Sequence, residues 1–112
     1  MIVEKRRIED QILLLIEGVI KLGESAQFFA QTLERVLAEC DGNVLIDLSK
    51  INYMDSTGIG ELVGYLGRFR DQKRKLILVN PSERIRKLLQ VAQLDVLFPT
   101  FDNLEAALAA EK

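Results

Sequence analysis

The chain has 112 residues, 48% hydrophobic and 29% charged, with a net charge of −2. That is the size of one domain and the composition of a globular chain, and it excludes disorder, a collagen-like repeat and a separate catalytic domain. With no histidine, Ser-His-Asp chemistry is excluded, and the single Cys40 excludes an internal disulfide or a clustered thiolate metal site, so no cofactor or metal is expected.

Ile2 to Ile8 reads as a charge-interrupted strand. Gln11 to Glu17, a dense aliphatic run bounded by Gly18, reads as a buried one, and the two-residue link Glu9-Asp10 predicts a hairpin between them. Gly23-Glu24-Ser25 then offers a helix start with Ser25 as N-cap, followed by Ala26, Phe29, Ala30, Leu33, Val36, Leu37 and Cys40 at helical spacing. Gly42 is the expected left-handed residue that ends this helix, and Val44 to Leu48 is the next strand. A helix between two strands predicts a parallel crossover.

Beyond Asp55-Ser56-Thr57-Gly58, a second helix carries Ile59, Leu62, Val63, Leu66 and Phe69, and Leu76 to Val79 is a further strand. Ser82 is the expected N-cap of a third helix with Ile85, Leu88, Leu89 and Ala92 inward. Val96-Leu97-Phe98 is a short strand stopped by Pro99, and Asp102 caps a last helix through Leu104, Ala107 and Leu108. The order β-β-α-β-α-β-α-β-α predicts a single α/β domain over residues 1–112, a mixed sheet of about five strands flanked by about four helices.

The longest apolar run, Ile12 to Ile16, is far shorter than the roughly 20 residues of a membrane helix. The first seven residues lack the apolar region of a signal peptide, so a cytoplasmic protein without membrane insertion is expected. Between Arg68 and Lys87, eight Lys and Arg face only Asp71 and Glu83. This run reads either as solvated helix faces or as a surface for an acidic partner; without aromatic platforms, no nucleic-acid binding is expected. Cys40 falls on an apolar stripe and reads as core.

The segment Met54-Asp55-Ser56-Thr57-Gly58-Ile59-Gly60 lies where a strand hands over to a helix, so its hydroxyls sit beside unpaired backbone N–H groups at the positive end of the helix dipole. Capping alone accounts for such residue types. A phosphoryl group is also tolerated there, which makes Ser56 a candidate phosphoacceptor and Thr57 a second one. Gly60, Gly64 and Gly67 fall within a sector of about 60° of that helix, with Ser56 some 40° from Gly60. This bare track suits either close packing inside the domain or the approach of a partner's backbone to Ser56.

Asn52-Tyr53-Met54 leading into Asp55-Ser56-Thr57-Gly58-Ile59-Gly60, preceded by Val44-Leu45-Ile46-Asp47-Leu48 and followed by Leu76-Ile77-Leu78-Val79, resembles a STAS domain of the bacterial anti-sigma factor antagonist type. The resemblance covers nearly the whole chain. It implies a cytoplasmic, non-enzymatic binding protein whose Ser56, in an Asp-Ser-(Ser/Thr)-Gly-(Leu/Ile)-Gly motif, is phosphorylated by a partner kinase. It further implies that the unphosphorylated protein binds an anti-sigma factor, often itself a Ser/Thr kinase, that phosphorylation blocks this binding, and that a phosphatase restores it. Asp55 would cap the helix and orient Ser56, with Thr57, Gly58, Gly60, Gly64 and Gly67 completing the partner-binding surface of a monomer or dimer. One departure is that the family's Gly-Glu-(Leu/Ile)-Asp is here Gly18-Val19-Ile20-Lys21, so Lys21 replaces a carboxylate in the partner-facing loop. The alternative within the same fold is a non-switching scaffold or adaptor of a stress-signalling or lipid-transport assembly.

Overall fold

In the computed structural model, which describes residues 1–110, five strands form one sheet with four helices against it. Strand β1 (Ile2–Ile8) pairs antiparallel with β2 (Gln11–Ile20), with Glu9 in the left-handed region at the hairpin turn, as the two-residue link predicts. Helix α1 (Glu24–Glu39) crosses over to β3 (Val44–Met54), which is parallel to β2. Then follow α2 (Ser56–Asp71), β4 (Leu76–Val79), α3 (Glu83–Val91), β5 (Thr100–Phe101) and α4 (Leu104–Ala110), with β4 and β5 also parallel. The strands lie side by side in chain order.

Alternation along the strands divides the core into two layers. Ile12, Leu14 and Ile16 of β2, Val44, Ile46 and Leu48 of β3, and Leu76 and Leu78 of β4 point toward one face and pack with Phe29, Leu33, Leu62, Phe69, Ile85 and Leu89 of α1, α2 and α3. The other face, Leu13, Leu45, Ile77 and Val79, is covered by Ala107 of α4. The eleven residues of β3 contain two register shifts against β2. Each gives β3 one extra residue, so its buried positions pass from alternation to every third residue, Leu48, Ile51 and Met54. This irregular stretch delivers Met54 into the core and places Asp55 at the head of α2.

Five expectations are corrected. Ser25 is not the cap of α1: the helix starts at Glu24 after Gly23 (φ 112°), because the carbonyls of Lys21 and Gly23 already take the N–H groups of Ala26 and Gln27. Ser25 Oγ instead bonds back to the N–H and carbonyl of Lys21. Gly42 does not adopt the left-handed conformation at the end of α1, which closes at Cys40. Glycine is needed there because a Cβ would lie 2.0 Å from the carbonyl oxygen of Asp10.

Val96-Leu97-Phe98 is a turn, not a strand: the N–H groups of Leu97 and Phe98 both donate to the carbonyl of Leu94, and pairing with β4 starts at Pro99, whose carbonyl accepts the N–H of Leu78. Asp102 does not cap α4. Asn103 Oδ1 accepts the N–H of Ala106 at 2.8 Å, while Asp102 pairs with Arg86. Ser82 does cap α3, its Oγ accepting from the N–H of Ile85. Gly18 lies within β2 rather than ending it, at φ 124° beside a register shift.

Candidate functional site

The site forms where β2 and β3 both end. Asp55 leaves the sheet in an extended conformation, its N–H donating to the carbonyl of Ile20 at 3.1 Å. Its carboxylate then does two things. Oδ1 accepts the N–H of Gly58 at 3.0 Å and caps α2, and Oδ2 accepts the N–H of Leu22 at 2.9 Å, tying down the loop between β2 and α1. These bonds, that from Leu22 first and that from Gly58 next, hold the carboxyl below its ordinary value of 3.8, because each favours the charged form.

Ser56 is the first residue of α2, and it is exposed; Thr57 is half-buried and Gly58 buried. The Ser56 hydroxyl has no hydrogen-bond partner among the described residues. Gly58 is confined: a Cβ there would lie 2.8 Å from Ile20 Cγ2, from the Ile20 carbonyl oxygen and from Met54 Cγ. Close packing inside the domain therefore explains Gly58. It does not explain Gly60, Gly64 and Gly67, which are all exposed, with nothing but their own stretch of helix within 4 Å of where a Cβ would stand. Between the two readings of the bare track, the glycines face outward.

Lys21 is exposed in the loop that Asp55 holds through Leu22, so it belongs to the same end of the molecule as Ser56. Leu22, 77% exposed, and Phe28, 46% exposed, add apolar surface to that end, lining one concavity with Lys21 and Ser25. Neither residue stands out in the sequence, since Leu22 is an isolated apolar residue between two loop positions and Phe28 sits off the main stripe of α1.

A family model for the STAS domain matches residues 3–107. The chain belongs to the STAS domain family. Among curated relatives, an anti-sigma-B factor antagonist of Listeria monocytogenes is 35% identical over 91 residues, covering 80% of this chain and 78% of its own. One from Staphylococcus epidermidis is 32% identical over 87 residues, 74% of this chain and 81% of that one. Both names denote antagonism of a regulatory factor, a binding activity rather than catalysis. Among solved structures, an anti-sigma-factor antagonist (STAS) domain protein from Planctomyces limnophilus superimposes with a TM-score of 0.83 at 19% identity, with 96% of each chain covered. The Bacillus cell fate determinant SpoIIAA in its phosphorylated form gives 0.75 at 16%, covering 99% of this chain and 100% of that one.

Away from the STAS motif, the basic run between Arg68 and Lys87 is divided among several surfaces. Arg68 pairs with Glu34 of α1 and lies over the Tyr65 ring, which joins α1 to α2 on the outside. Arg86 pairs with Asp102, and Lys87 stands 4.0 Å from Glu83. Cys40 is buried as expected, just past the end of α1. Among the described residues no helix is long and apolar enough to cross a membrane.

Proposed function

We propose that the protein is a phosphorylation-switched anti-sigma factor antagonist of the bacterial cytoplasm. Unphosphorylated, it binds an anti-sigma factor that is also a Ser/Thr kinase, and so frees the sigma factor; phosphorylation of Ser56 ends the binding, and a protein phosphatase restores it. The observation that carries this reading is the exposure of Ser56, with an unengaged hydroxyl, beside the outward-facing Gly60, Gly64 and Gly67.

The mechanism follows from electrostatics and shape. A helix first turn tolerates a phosphoryl dianion, so the domain stays folded when modified. A partner that closes over Ser56 must then desolvate that dianion, which costs several kcal/mol unless it is paired. A loss of 1.4 kcal/mol is already about tenfold in affinity. Asp55 acts as a positioning residue, holding Lys21 and Leu22 beside Ser56, and the glycine track admits the partner's backbone. The names of the curated relatives support the antagonist role, and the phosphorylated form of a protein with the same fold supports the tolerance of a phosphoryl group.

Incubation with the cognate kinase and ATP, read by mass spectrometry, is expected to place one phosphate on Ser56. Labelling confined to Thr57, or none, refutes the assignment. Ser56→Ala is expected to bind the partner and resist inactivation, and Ser56→Asp to bind weakly; equal affinities of the two variants would leave Ser56 as a helix-start residue only.

A further inference from the structure

At the opposite end of α2 lies an open cleft of about 480 Å³ between the last turns of that helix and the loop before β5. Its floor is apolar, formed by Leu66, Leu76 and Phe98. Every charged residue lining it is a cation, Arg70, Lys73, Arg74 and Lys75, in a chain whose net charge is −2. Val96 and Leu97 form its rim, 80% and 37% exposed.

The charge of Arg74 is the unusual element. Its side chain is buried, and all its hydrogen bonds go to neutral acceptors: the carbonyls of Gly42 and Leu37 at 2.9 Å, Gln72 Oε1 at 2.8 Å and Cys40 Sγ at 3.3 Å. The Phe69 ring lies beneath it at 4.6 Å. No carboxylate neutralises it among the described residues, so its field reaches the cleft through a poorly screening interior. The walls are also held in place: Arg70 Nη2 donates to the Leu97 carbonyl at 2.8 Å, fixing the loop that carries the apolar rim.

An apolar floor and rim inside a ring of one charge sign match a surface of the reverse polarity with an apolar side chain at its centre. We infer that this cleft docks an acidic segment of a partner protein, which inserts an apolar side chain against Leu66 and Phe98 while its carboxylates face Arg70 and Lys73. The openness of the rim favours a peptide over a small molecule, which needs most of its surface enclosed. Arg70 stands 14 residues along α2 from Ser56, about 21 Å at 1.5 Å per residue. The two sites are therefore separate, and a second protein can be held while the Ser56 end is occupied or phosphorylated.

The test titrates the full chain with a short fluorescein-labelled peptide alternating glutamate and leucine, and with its glutamine counterpart. Only the acidic peptide is expected to bind, more weakly as salt rises. Lys73→Glu and Val96→Ser, both at exposed positions, are each expected to weaken it by about tenfold, as 1.4 kcal/mol corresponds to. Lys50→Glu, the same charge change on β3, and Ser56→Asp are expected to leave binding unchanged. Absence of binding, equal loss in Lys50→Glu, or a response to inorganic phosphate with none to the peptide overturns the inference. Retention of peptide binding by a chain that no kinase labels separates this site from the Ser56 reading.

Discussion

Asp55 and Leu22, 33 residues apart in sequence, are joined by a hydrogen bond of 2.9 Å from the Leu22 N–H to Asp55 Oδ2, and the same carboxylate caps α2 through Oδ1. One side chain thus sets the angle between the loop bearing Lys21 and the helix bearing Ser56. The backbone joins the two only as far as the end of β2, where the Asp55 N–H meets the Ile20 carbonyl, and the carboxylate carries the link on to Leu22 in the loop.

Replacing Asp55 by Asn keeps a good capping residue but leaves a single acceptor oxygen for two donors. The expected outcome is a retained helix with a released loop, read as faster hydrogen exchange at the Leu22 amide and weaker partner binding. The acid limb of stability also changes. Because the folded-state pKa of Asp55 is lowered, its contribution is present above the ordinary value of 3.8 and is lost as pH falls through the depressed folded value. Asn cannot titrate, so a thermal melting series against pH is expected to be flatter for the variant below pH 4. Parallel curves for the two proteins would refute this coupling.

The glycines of α2 are expected to respond in opposite directions. Gly58→Ala forces a methyl to within 2.8 Å of Ile20 and Met54, both buried, and is expected to cost about 1–3 kcal/mol by overpacking. Gly60→Ala and Gly64→Ala meet nothing within 4 Å beyond their own stretch of helix, so each is expected to add roughly 0.5–1 kcal/mol of stability. Urea unfolding reads both signs. If the track admits a partner's backbone, these same stabilised variants bind the proposed partner less tightly, a split between stability and affinity that a purely structural role for the glycines does not produce.

Arg74 is expected to be the most sensitive charged position. Its removal leaves the Leu37 and Gly42 carbonyls without their donor and uncovers the Phe69 ring, so Arg74→Ala is expected to lose about 3 kcal/mol. Arg74→Lys is expected to recover little, since one ammonium cannot reproduce a planar fork that reaches several acceptors and stacks on an aromatic face. A shift in urea midpoint below that of a typical surface substitution would show that water replaces the guanidinium there.

Periodicity made the sheet and helices legible because the core is two-layered: Leu45, Ile77 and Val79 alternate with Ile46, Leu76 and Leu78. Asp55, Ser56 and the outward glycines were legible too, because they form one contiguous stretch. What escaped depends on partners distant in sequence. Ser25 and Asp102 have good capping chemistry, but Lys21 and Arg86 engage them first. Arg74 reads as one more cation in a turn until Leu37 and Gly42 are brought to it. The apolar run Val96-Leu97-Phe98 lacked any local signal that the Leu94 carbonyl would fold it into a turn.

Ser56 provides the sharpest separation of signalling from stability. Its hydroxyl supports no hydrogen bond among the described residues and its side chain is exposed, so Ser56→Ala is expected to change unfolding free energy by no more than about 0.5 kcal/mol. The phosphorylated protein is also expected to stay folded, since attraction to the start of α2 opposes repulsion from the Asp55 carboxylate. Amide shifts on phosphorylation should then be confined to the first turn of α2 and the loop held through Leu22, with none in the Leu97–Phe98 cleft. A large loss of melting temperature on phosphorylation would replace the steric and electrostatic switch with one that works by unfolding α2, and would predict that Asp55→Asn restores part of the lost stability.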